Sequence, residues 1–321
     1  MSNIEVIGLG ALNMDYLYLI ESILEDGEAL VSEMVSAPGG SAANTIHGLS
    51  RLGVSTGFAG AVGDDAEGKK LLQDFSEVSV DTSQIKFKPG ARTGSVLCLS
   101  DQQAQRALYV TPGANNLLTM DDIDLAYINQ ANLLHISSFA DEHQFEVTQQ
   151  VINRLDPSVK VSFSPGSLYA TRSMKALAPI LRKTHVLFAN QSEIQQLTGE
   201  HFDTGAKACQ KAGCHIVVVT LGKGTSYRTT LATSYIRDAE SEYLIAPDSK
   251  CIEPGLDTTG AGDAFATGFL YGLLTGKGIE GCGHIGSIVA EFCINEVGAR
   301  AGLPALAELS QRYRDIYQQE L

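Results

Sequence analysis

Short apolar runs alternate with amphipathic segments along most of this chain, and this alternation constrains the fold more than any other feature. Beyond residue 121, apolar runs predict strands at 133–137, 159–163, 186–189 and 215–220, and helical patterns occur at 142–155, 173–182, 191–198 and 203–212. Two parallel strands joined by a crossover helix form a βαβ unit, and successive units build a mostly parallel sheet. The sequence therefore predicts an α/β fold with helices on both faces of one main sheet.

The rest of the chain extends this pattern. Further strands are predicted at 4–9 and 56–61, antiparallel additions at 225–230 and 242–246, and further helices at 41–52, 66–75, 262–274, 280–296 and 305–318. In the helix 41–52, Ser41 is the predicted N-cap and Gly53 the predicted C-cap, because these residue types suit the free backbone groups at helix ends.

Four segments do not fit the main sheet. They lie at about 15–20, 30–36, 93–99 and 105–111, and their alternation is typical of strands with one solvent-facing side. We expect them to form one small β-sheet lid, built from about 12–37 and 91–111. The chain shows no internal repeat and no long linker, so residues 1–321 are expected to form a single domain that carries this lid.

Composition and charge exclude several classes of partner. The net charge is −14 and the isoelectric point is near 4.9, which argues against nucleic acid or an anionic membrane surface. No apolar run approaches the length of about 18 residues that a membrane span needs, and no signal segment is recognisable, so we expect a cytoplasmic location. The six cysteines include no Cys-x-x-Cys pair, as expected for reduced thiols, and the seven histidines show no metal-ligand spacing.

The segment 257–263 carries the strongest chemical signal. It reads Asp-Thr-Thr-Gly-Ala-Gly-Asp, and an apolar run follows to residue 274. The small residues at 260–262 allow a tight turn with uncovered N–H groups at a helix start, where the helix dipole favours an anion. A carboxylate at Asp263 would repel a resting phosphate, but it could activate a hydroxyl that attacks a phosphoryl group. By itself the string fits a tight turn with an N-capping aspartate equally well.

This segment resembles the second signature of the PfkB, or ribokinase-like, kinases, Asp-Thr-x-Gly-Ala-Gly-Asp-x-Phe. The other landmarks of that family occur in the same order: Gly10-Ala11-Leu12-Asn13-Met14-Asp15, Pro38-Gly39-Gly40-Ser41-Ala42-Ala43-Asn44-Thr45, Pro112-Gly113-Ala114-Asn115, Asn190-Gln191-Ser192-Glu193 and Thr220-Leu221-Gly222-Lys223-Gly224. Six collinear landmarks are far more specific than any one of them. The resemblance implies a ribokinase-like three-layer α/β/α core with a β-lid, and ATP-dependent phosphorylation of a hydroxymethyl group of a sugar.

The resemblance also implies roles for the residues of the second signature. Asp263 takes the hydroxyl proton, and the N–H groups of Gly260, Ala261 and Gly262 hold the developing negative charge. ATP is the implied phosphoryl donor, with Mg²⁺ bridging its phosphates. Asp257 and nearby carbonyls are candidates for binding a monovalent cation such as K⁺, as in many relatives.

Two landmarks supply the implied acceptor-binding residues. Asn13 and Asp15 follow the first strand, where an open sheet places its ligands, and the Asp15 carboxylate can accept two hydroxyl hydrogen bonds. Gly39 and Gly40 allow a ligand close to the backbone and a hinge between lid and core, and the Asn44 amide suits sugar hydroxyls. Without the resemblance, these residues fit ordinary turn and helix-start positions.

Two further landmarks supply the implied nucleotide-binding residues. These are Asn190, Glu193, Thr220, Gly222 and Gly224, and Glu193 is also implied to bind Mg²⁺ through water. Two structural alternatives stay open from the residues alone. Asn190 and Glu193 fit a capping box at a helix start, and the segment 222–224 fits an ordinary hairpin turn.

One departure from the family bears on the acceptor. Many sugar kinases of this family carry Asp-x-Asn-x-Arg after the strand near 163, but residues 162–169 of this chain read Ser-Phe-Ser-Pro-Gly-Ser-Leu-Tyr. This argues against a 2-keto-sugar acid, and the form of the first signature favours the adenosine-kinase-like branch. A nucleoside is therefore the alternative acceptor, with Phe139, Tyr16 and Tyr109 as aromatic candidates for a purine slot.

Functions of other classes compete with a kinase. A non-catalytic ligand sensor on a kinase fold is one alternative, although the presence of Asp263 argues against it, and an oxidoreductase would be distinguished by nicotinamide binding. The expected partners are ATP and a small-molecule sugar or nucleoside. A homodimer through the lid is also among the candidate assemblies.

Overall fold

The computed structural model describes residues 4–24, 26–28, 30–101, 106–247 and 257–321, and its helices and strands belong to those ranges. The strands are β1 (Val6–Leu9), β2 (Asn13–Ile20), β3 (Val31–Gly39), β4 (Thr56–Gly63), β5 (Asp81–Lys88), β6 (Gly94–Asp101), β7 (Arg106–Thr111), β8 (Leu133–Ser137), β9 (Lys160–Ser164), β10 (Thr184–Asn190), β11 (Ile216–Tyr227), β12 (Thr230–Arg237) and β13 (Glu242–Ile245). The helices are α1 (Ser41–Arg51), α2 (Ala66–Glu77), α3 (Leu125–Ile128), α4 (Glu142–Arg154), α5 (Gly166–Ala170), α6 (Met174–Leu181), α7 (Gln191–Thr198), α8 (Phe202–Lys211), α9 (Ala261–Leu274), α10 (Ile279–Ile294) and α11 (Leu306–Tyr317). Two 3-10 helices, Gly113–Leu117 and Met120–Asp122, follow β7.

The main sheet has the order β13-β12-β11-β10-β9-β8-β1-β4-β5. The strands from β11 to β5 are parallel, and β12 and β13 add to the β11 edge in antiparallel fashion. After β1, the chain adds β4 and β5 on one side and β8 to β11 on the other. The predicted α/β fold with a mostly parallel sheet is confirmed.

Both faces of the central strands of the main sheet are buried, which explains why these strands read as continuous apolar runs. Along β10, Leu187 and Ala189 point into one core, and Val186 and Phe188 point into the other. Helices α4, α6, α7 and α8 pack on the first core, and α1, α2, α9 and α10 pack on the second. The fold therefore has the expected three layers.

The four segments that did not fit the main sheet form a separate small sheet, which we call the lid sheet. Its order is β3-β2-β6-β7, with β2 and β6 parallel and the outer pairs antiparallel. The chain enters it directly from β1 and leaves it at Gly39, two residues before α1 begins. Residues 102–105, which include the start of the predicted strand 105–111, lie outside the described residues.

Four local expectations were wrong or incomplete. The N-cap of α1 is Gly40, not Ser41, and its C-cap is Leu52, with Gly53 following at a φ of +86°. Strand β5 was missed because its sequence is mostly polar; it is the edge strand, and Ile85 is its one buried residue. The first antiparallel addition is β12 at 230–237, not a strand at 225–230, because β11 runs on to Tyr227.

The cysteines are buried where they are described. These are Cys98, Cys209, Cys214, Cys282 and Cys293, and Cys251 lies outside the described residues. Among the helices described, none combines the length and the apolar character needed to cross a membrane.

Candidate active site

The carboxyl ends of the parallel strands bring several predicted residues to one edge of the main sheet. Asn190 ends β10 and pairs in register with Thr220 of β11. Strand β1 ends at Leu9, beside the point where successive strands begin to be added on opposite sides. Open α/β sheets bind their ligands in the crevice at such a switch point.

Helix α9 begins at this edge with a turn that requires glycine. Gly260 is its N-cap, with a φ of +77°, and a side chain there would collide with Ala299. Among the described residues, the N–H groups of Gly260 and Gly262 have no hydrogen-bond acceptor, whereas the Ala261 N–H donates to the Thr258 carbonyl at 3.3 Å. Two of the three predicted N–H groups are thus uncovered, and the third makes a long turn hydrogen bond.

Asp263 lies in the first turn of α9, and donors hold both of its carboxylate oxygens. Ser41 Oγ donates to Oδ1 at 2.7 Å, and Asn44 Nδ2 donates to Oδ2 at 2.8 Å. Burial raises the pKa of Asp263 to about 6, although the hydrogen bonds from Asn44 and Ser41 and the charge of Arg300 oppose the rise. Such a carboxylate is suited to take a proton from a hydroxyl. The N-cap is Gly260, so the N-capping alternative for Asp263 is wrong.

Both polar atoms of the Asn44 amide are engaged inside the protein. While Nδ2 donates to Asp263, Oδ1 accepts from Nε of Arg300 at 2.9 Å, and the residue is buried. Asn44 therefore orients Asp263, a role that the sequence did not indicate. Its direct contact with acceptor hydroxyls stays a prediction.

Asp15 and Asn13 lie on β2, the lid strand that follows β1. The backbone of Gly39 packs so closely on the Asp15 carboxylate that any side chain at position 39 would displace it. Asn13 Oδ1 accepts from Asn115 Nδ2 at 3.0 Å, and Asn115 also accepts from the Leu12 N–H at 2.9 Å. The landmark at 112–115 thus holds the start of the lid strand in place.

Two glycines form the crossing from the lid sheet to α1. Gly40 has a φ of +100° and lies close to the Ala11 carbonyl. The Gly39 carbonyl accepts from Nη2 of Arg300 at 3.0 Å. The crossing is therefore tied to the core by a charged side chain, and its use as a hinge stays a prediction.

Asn190 and Glu193 form the capping box that their spacing allowed. Asn190 Oδ1 accepts from the Glu193 N–H, and Glu193 Oε2 accepts from the Asn190 N–H, both at 2.8 Å. Burial raises the pKa of Glu193, the Asn190 hydrogen bond lowers it, and the charge of Asp263 raises it further. The capping interpretation is confirmed, and the magnesium role stays a prediction.

The segment 220–224 is not a hairpin turn. It is an irregularity within β11, where pairing with β12 shifts between Thr220 and Thr225, and Gly222 and Gly224 both have positive φ. The hairpin turn lies later, between Tyr227 and Thr230. Because Thr220 is aligned with Asn190, the bulge opens beside the start of α7.

Asp257 is bound to neighbouring backbone in the described structure. Its Oδ1 accepts from the N–H and hydroxyl of Thr259 at 2.9 and 2.7 Å, and its Oδ2 accepts from the Gly298 N–H at 3.0 Å. Within the described ranges, no group of three or more His, Cys, Asp or Glu side chains could hold a metal ion. The monovalent-cation role of Asp257 stays a prediction.

Comparison with known proteins identifies the family. Residues 1–306 match the model of the pfkB family of carbohydrate kinases. This chain belongs to the pfkB family. An uncharacterized sugar kinase of Archaeoglobus fulgidus is 37% identical over 257 residues, which cover 80% of this chain and 98% of that relative.

Solved structures confirm the pfkB-family fold. The adenosine kinase of Sinorhizobium meliloti superposes with a TM-score of 0.83 at 21% identity, covering 97% of this chain and 99% of that one. The Arabidopsis thaliana ribokinase, solved with ribose and ATP, superposes with a TM-score of 0.81 at 23% identity, covering 96% of this chain and 97% of that one. At such identities the likeness shows the ribokinase-like fold alone.

Two site residues of this pfkB-family chain were not predicted. Arg300 reaches Asn44, Asp74 and Gly39, and Asp74 comes from α2. The signal in the sequence was faint: Arg300 is the single charged residue in the small-residue string 298–302. Asp74 gave no signal, because one acidic residue on an amphipathic helix is ordinary.

Proposed function

We propose that this protein transfers the γ-phosphoryl group of ATP to a hydroxymethyl group of a sugar. The observation that carries the proposal is the arrangement at the start of α9. There the Asp263 carboxylate, held by Ser41 and Asn44, lies within one helical turn of the uncovered N–H groups of Gly260 and Gly262. A base and an anion site are thus combined on one helix start.

The chemistry follows from these groups. Asp263 takes the proton as the acceptor oxygen attacks the γ-phosphorus, and the bond from that phosphorus to the leaving oxygen of ADP breaks. The N–H groups of Gly260 and Gly262 stabilise negative charge at the transferring group, and removing one such donor typically costs about 10²–10³-fold in kcat. Because the Asp263 pKa is about 6, the base is ionised at neutral pH.

The residues present fit Mg²⁺ that arrives with ATP. The negative charge of Asp263 raises the pKa of Glu193, so the two carboxylates repel each other across the site. A divalent cation between them would relieve this repulsion, and Glu193 would hold it through water. Mg²⁺ neutralises phosphate charge when it is bound.

The monovalent cation is a separate proposal. Asp257 accepts three hydrogen bonds that order the loop before Gly260, and a K⁺ ion bound by the loop carbonyls would add to that order. The rate of ADP release should then rise with KCl at constant ionic strength. Equal rates in KCl and tetramethylammonium chloride would rule out the K⁺ site.

The acceptor is recognised by residues on the lid side of the site. Asp15 faces the crossing at Gly39 and offers a carboxylate to neighbouring hydroxyls of a polyol. A nucleoside is the second candidate, because Tyr16 and Tyr109 lie on the lid sheet. Phe139, which is 2% exposed in the core, is unsuited to a purine slot.

The lid sheet also supports a homodimer. More than half of the exposed large hydrophobic side chains of the described residues belong to lid strands or to the β2–β3 connection, including Leu30, Met34, Leu108 and Tyr109. A second copy would cover this surface. Sedimentation velocity should give a dimer that Leu108→Asp dissociates; a monomeric parent at micromolar concentration would exclude the dimer.

The cytoplasmic location stays a prediction from the sequence.

A panel of sugars and nucleosides, scored by ADP release with and without acceptor, tests the kinase proposal. We expect ADP release to require an acceptor with a free hydroxymethyl group, and a deoxy analogue lacking that hydroxyl to support none. Preference for nucleosides over all sugars would move the assignment to the alternative acceptor. Saturable ligand binding without ADP release from any acceptor would establish the non-catalytic sensor instead.

A further inference from the structure

Arg300 is a buried charged residue at the centre of a network that the proposed chemistry does not explain. It is 5% exposed, and all three of its guanidinium nitrogens have partners. Nε donates to Asn44 Oδ1 at 2.9 Å, Nη2 donates to the Gly39 carbonyl at 3.0 Å, and Nη1 pairs with Asp74. The guanidinium also lies over the Phe75 ring, 5.2 Å from its centroid.

These partners come from three separate parts of the molecule. Gly39 is the last residue of the lid strand β3, Asn44 lies in α1 and holds the proposed general base, and Asp74 and Phe75 belong to α2. A single side chain thus connects the lid crossing to the group that orients Asp263. Because the guanidinium is planar, a shift in any one contact changes the geometry of the others.

The residues before Arg300 touch the same two regions. A side chain at Gly298 would contact Ala37 and Leu17 of the lid sheet, and Ala299 packs against Gly260 at the start of α9. The Gly298 N–H also donates to Asp257 in the loop before that helix. The segment 298–300 is therefore in contact both with the lid sheet and with the loop that precedes α9.

We propose that Arg300 is a positioning residue that couples the lid crossing to the general base: it holds Gly39 beneath Asp15 and fixes the amide through which Asn44 orients Asp263. This role rests on the proposed kinase function. Its consequence is that acceptor recognition and base strength depend on one side chain that touches neither the acceptor nor ATP.

The orientation of the Asn44 amide shows how the coupling works. An amide can present either its oxygen or its nitrogen, and an aspartate needs the nitrogen. Arg300 has no acceptor atom, so it forces the Asn44 oxygen toward itself and the Asn44 nitrogen toward Asp263. Loss of Arg300 would free the amide to turn and would leave Asp263 with one donor instead of two.

The charges around Asp263 decide whether its pKa should rise or fall when Arg300 is replaced. Arg300 opposes the rise in the Asp263 pKa, and Glu193 faces Asp263 from α7 with like charge. The Cys293 thiol of α10 has a raised pKa and stays neutral, with Asp257 beside it.

The acidic residues that lie near Arg300 are Asp74 and Asp15. Burial and Arg300 lower the pKa of His47 to about 3, so it is also neutral in the working range. Removing the Arg300 charge should therefore raise the Asp263 pKa above about 6, and the resonance assigned to Asp263 has to be followed apart from Glu193, whose pKa is also raised.

Arg300→Gln and Arg300→Lys separate charge from geometry. Arg300→Gln should lower kcat by about 10²-fold, raise the acceptor KM, and move the acid limb of kcat/KM to higher pH. Arg300→Lys keeps the charge but loses the planar fork, so it should raise the acceptor KM while leaving the acid limb near that of the parent. The ATP KM should change by no more than a few fold in either variant.

Arg237→Gln is the matched control. Arg237 also pairs with a carboxylate, Glu242, and donates Nε to an amide oxygen, Gln210 Oε1, at 2.8 Å. It lies at the amino end of β11, opposite Val217 and away from the site. This variant should share any general loss of stability but keep the parental pH profile and acceptor KM.

A direct titration separates this role from the kinase proposal. In protein labelled with ¹³C at aspartate carboxyls, the Asp263 resonance, assigned by its loss in Asp263→Asn, should titrate near pH 6 in the parent and higher in Arg300→Gln. This readout needs no turnover, so an inactive parent would end the kinase proposal alone. Equal midpoints in parent and Arg300→Gln would overturn the coupling. If Arg300→Gln does not fold, an unchanged acceptor KM in folded Arg300→Lys would overturn it as well.

Discussion

The main sheet and the lid sheet are built from similar strands but are packed in opposite ways. Every residue of β4 in the main sheet is buried, and its Phe58 side chain is 0% exposed. In the lid sheet, Leu108 and Tyr109 of β7 are 57% and 59% exposed. Apolar burial stabilises a fold roughly in proportion to area, so the lid sheet contributes less to the stability of the molecule than the main sheet does.

The two sheets also carry different residues of the candidate site. Asp263 is attached to α9, which packs on the main sheet, and its geometry is held by Ser41 and Asn44. Asp15 is attached to the lid sheet. A base must be held rigidly, whereas a recognition group on a weakly packed sheet is free to close over its ligand.

The largest expected effect is on chemistry, at the well-packed side. Asp263→Asn conserves shape and removes the base, so kcat should fall by about 10²–10⁴-fold while the melting temperature and acceptor affinity stay near those of the parent. Single-turnover ADP release measures the loss, and exposed Asp121→Asn serves as the control. Activity within a few fold of the parent would show that another group takes the proton.

The second largest expected effect is on the free energy of unfolding, which should respond differently to mutations in the two sheets. Phe58→Ala should lower the free energy of unfolding by about 3–5 kcal/mol, because a buried ring contacting Phe75 is lost. Leu108→Ala in the lid should change it by no more than about 0.5 kcal/mol. Urea unfolding at low protein concentration measures both. A loss at Leu108 as large as that at Phe58 would mean that the lid surface is covered, as it would be in a homodimer.

Acceptor binding should depend on the lid side. Asp15→Ala removes hydrogen bonds from acceptor hydroxyls to a charged carboxylate, each worth about 1.5–3 kcal/mol, so the acceptor KM should rise by roughly tenfold or more while the ATP KM changes little. Glu33→Ala, which removes an exposed carboxylate from the same sheet, is the control. Similar losses for both ligands in Asp15→Ala would place Asp15 outside the acceptor site.

The smallest expected effect is a change in exchange rates without any mutation. Saturating acceptor should slow amide hydrogen exchange in the lid strands β2, β3 and β6, because closure over the acceptor covers their exposed backbone. The main sheet should change less, since it is already protected. Exchange is followed by mass spectrometry of peptides. Lid peptides that exchange equally with and without acceptor would show that this sheet is not a lid.

Local patterns predicted the parts of the fold that depend on neighbouring residues. Strand and helix periodicity, the capping box at Asn190 and Glu193, and the glycine at position 260 are all visible over a few residues, and the structure bears them out. The edge strand β5 was missed because an edge strand needs few apolar residues. The bulge at 220–224 was open to two interpretations, because the same glycines suit a turn and a bulge.

The sequence by itself determined the three-layer α/β architecture, the separate lid sheet and the carboxylate at the start of α9, because each is encoded by periodicity or by a contiguous motif. Only the tertiary structure decided how that carboxylate is held. Arg300 and Asn44 are 256 residues apart in the chain, and Asn44 and Asp263 are 219 apart. Contacts across such separations arise only when helices from distant segments pack on one sheet, so no local pattern of residues can reveal them.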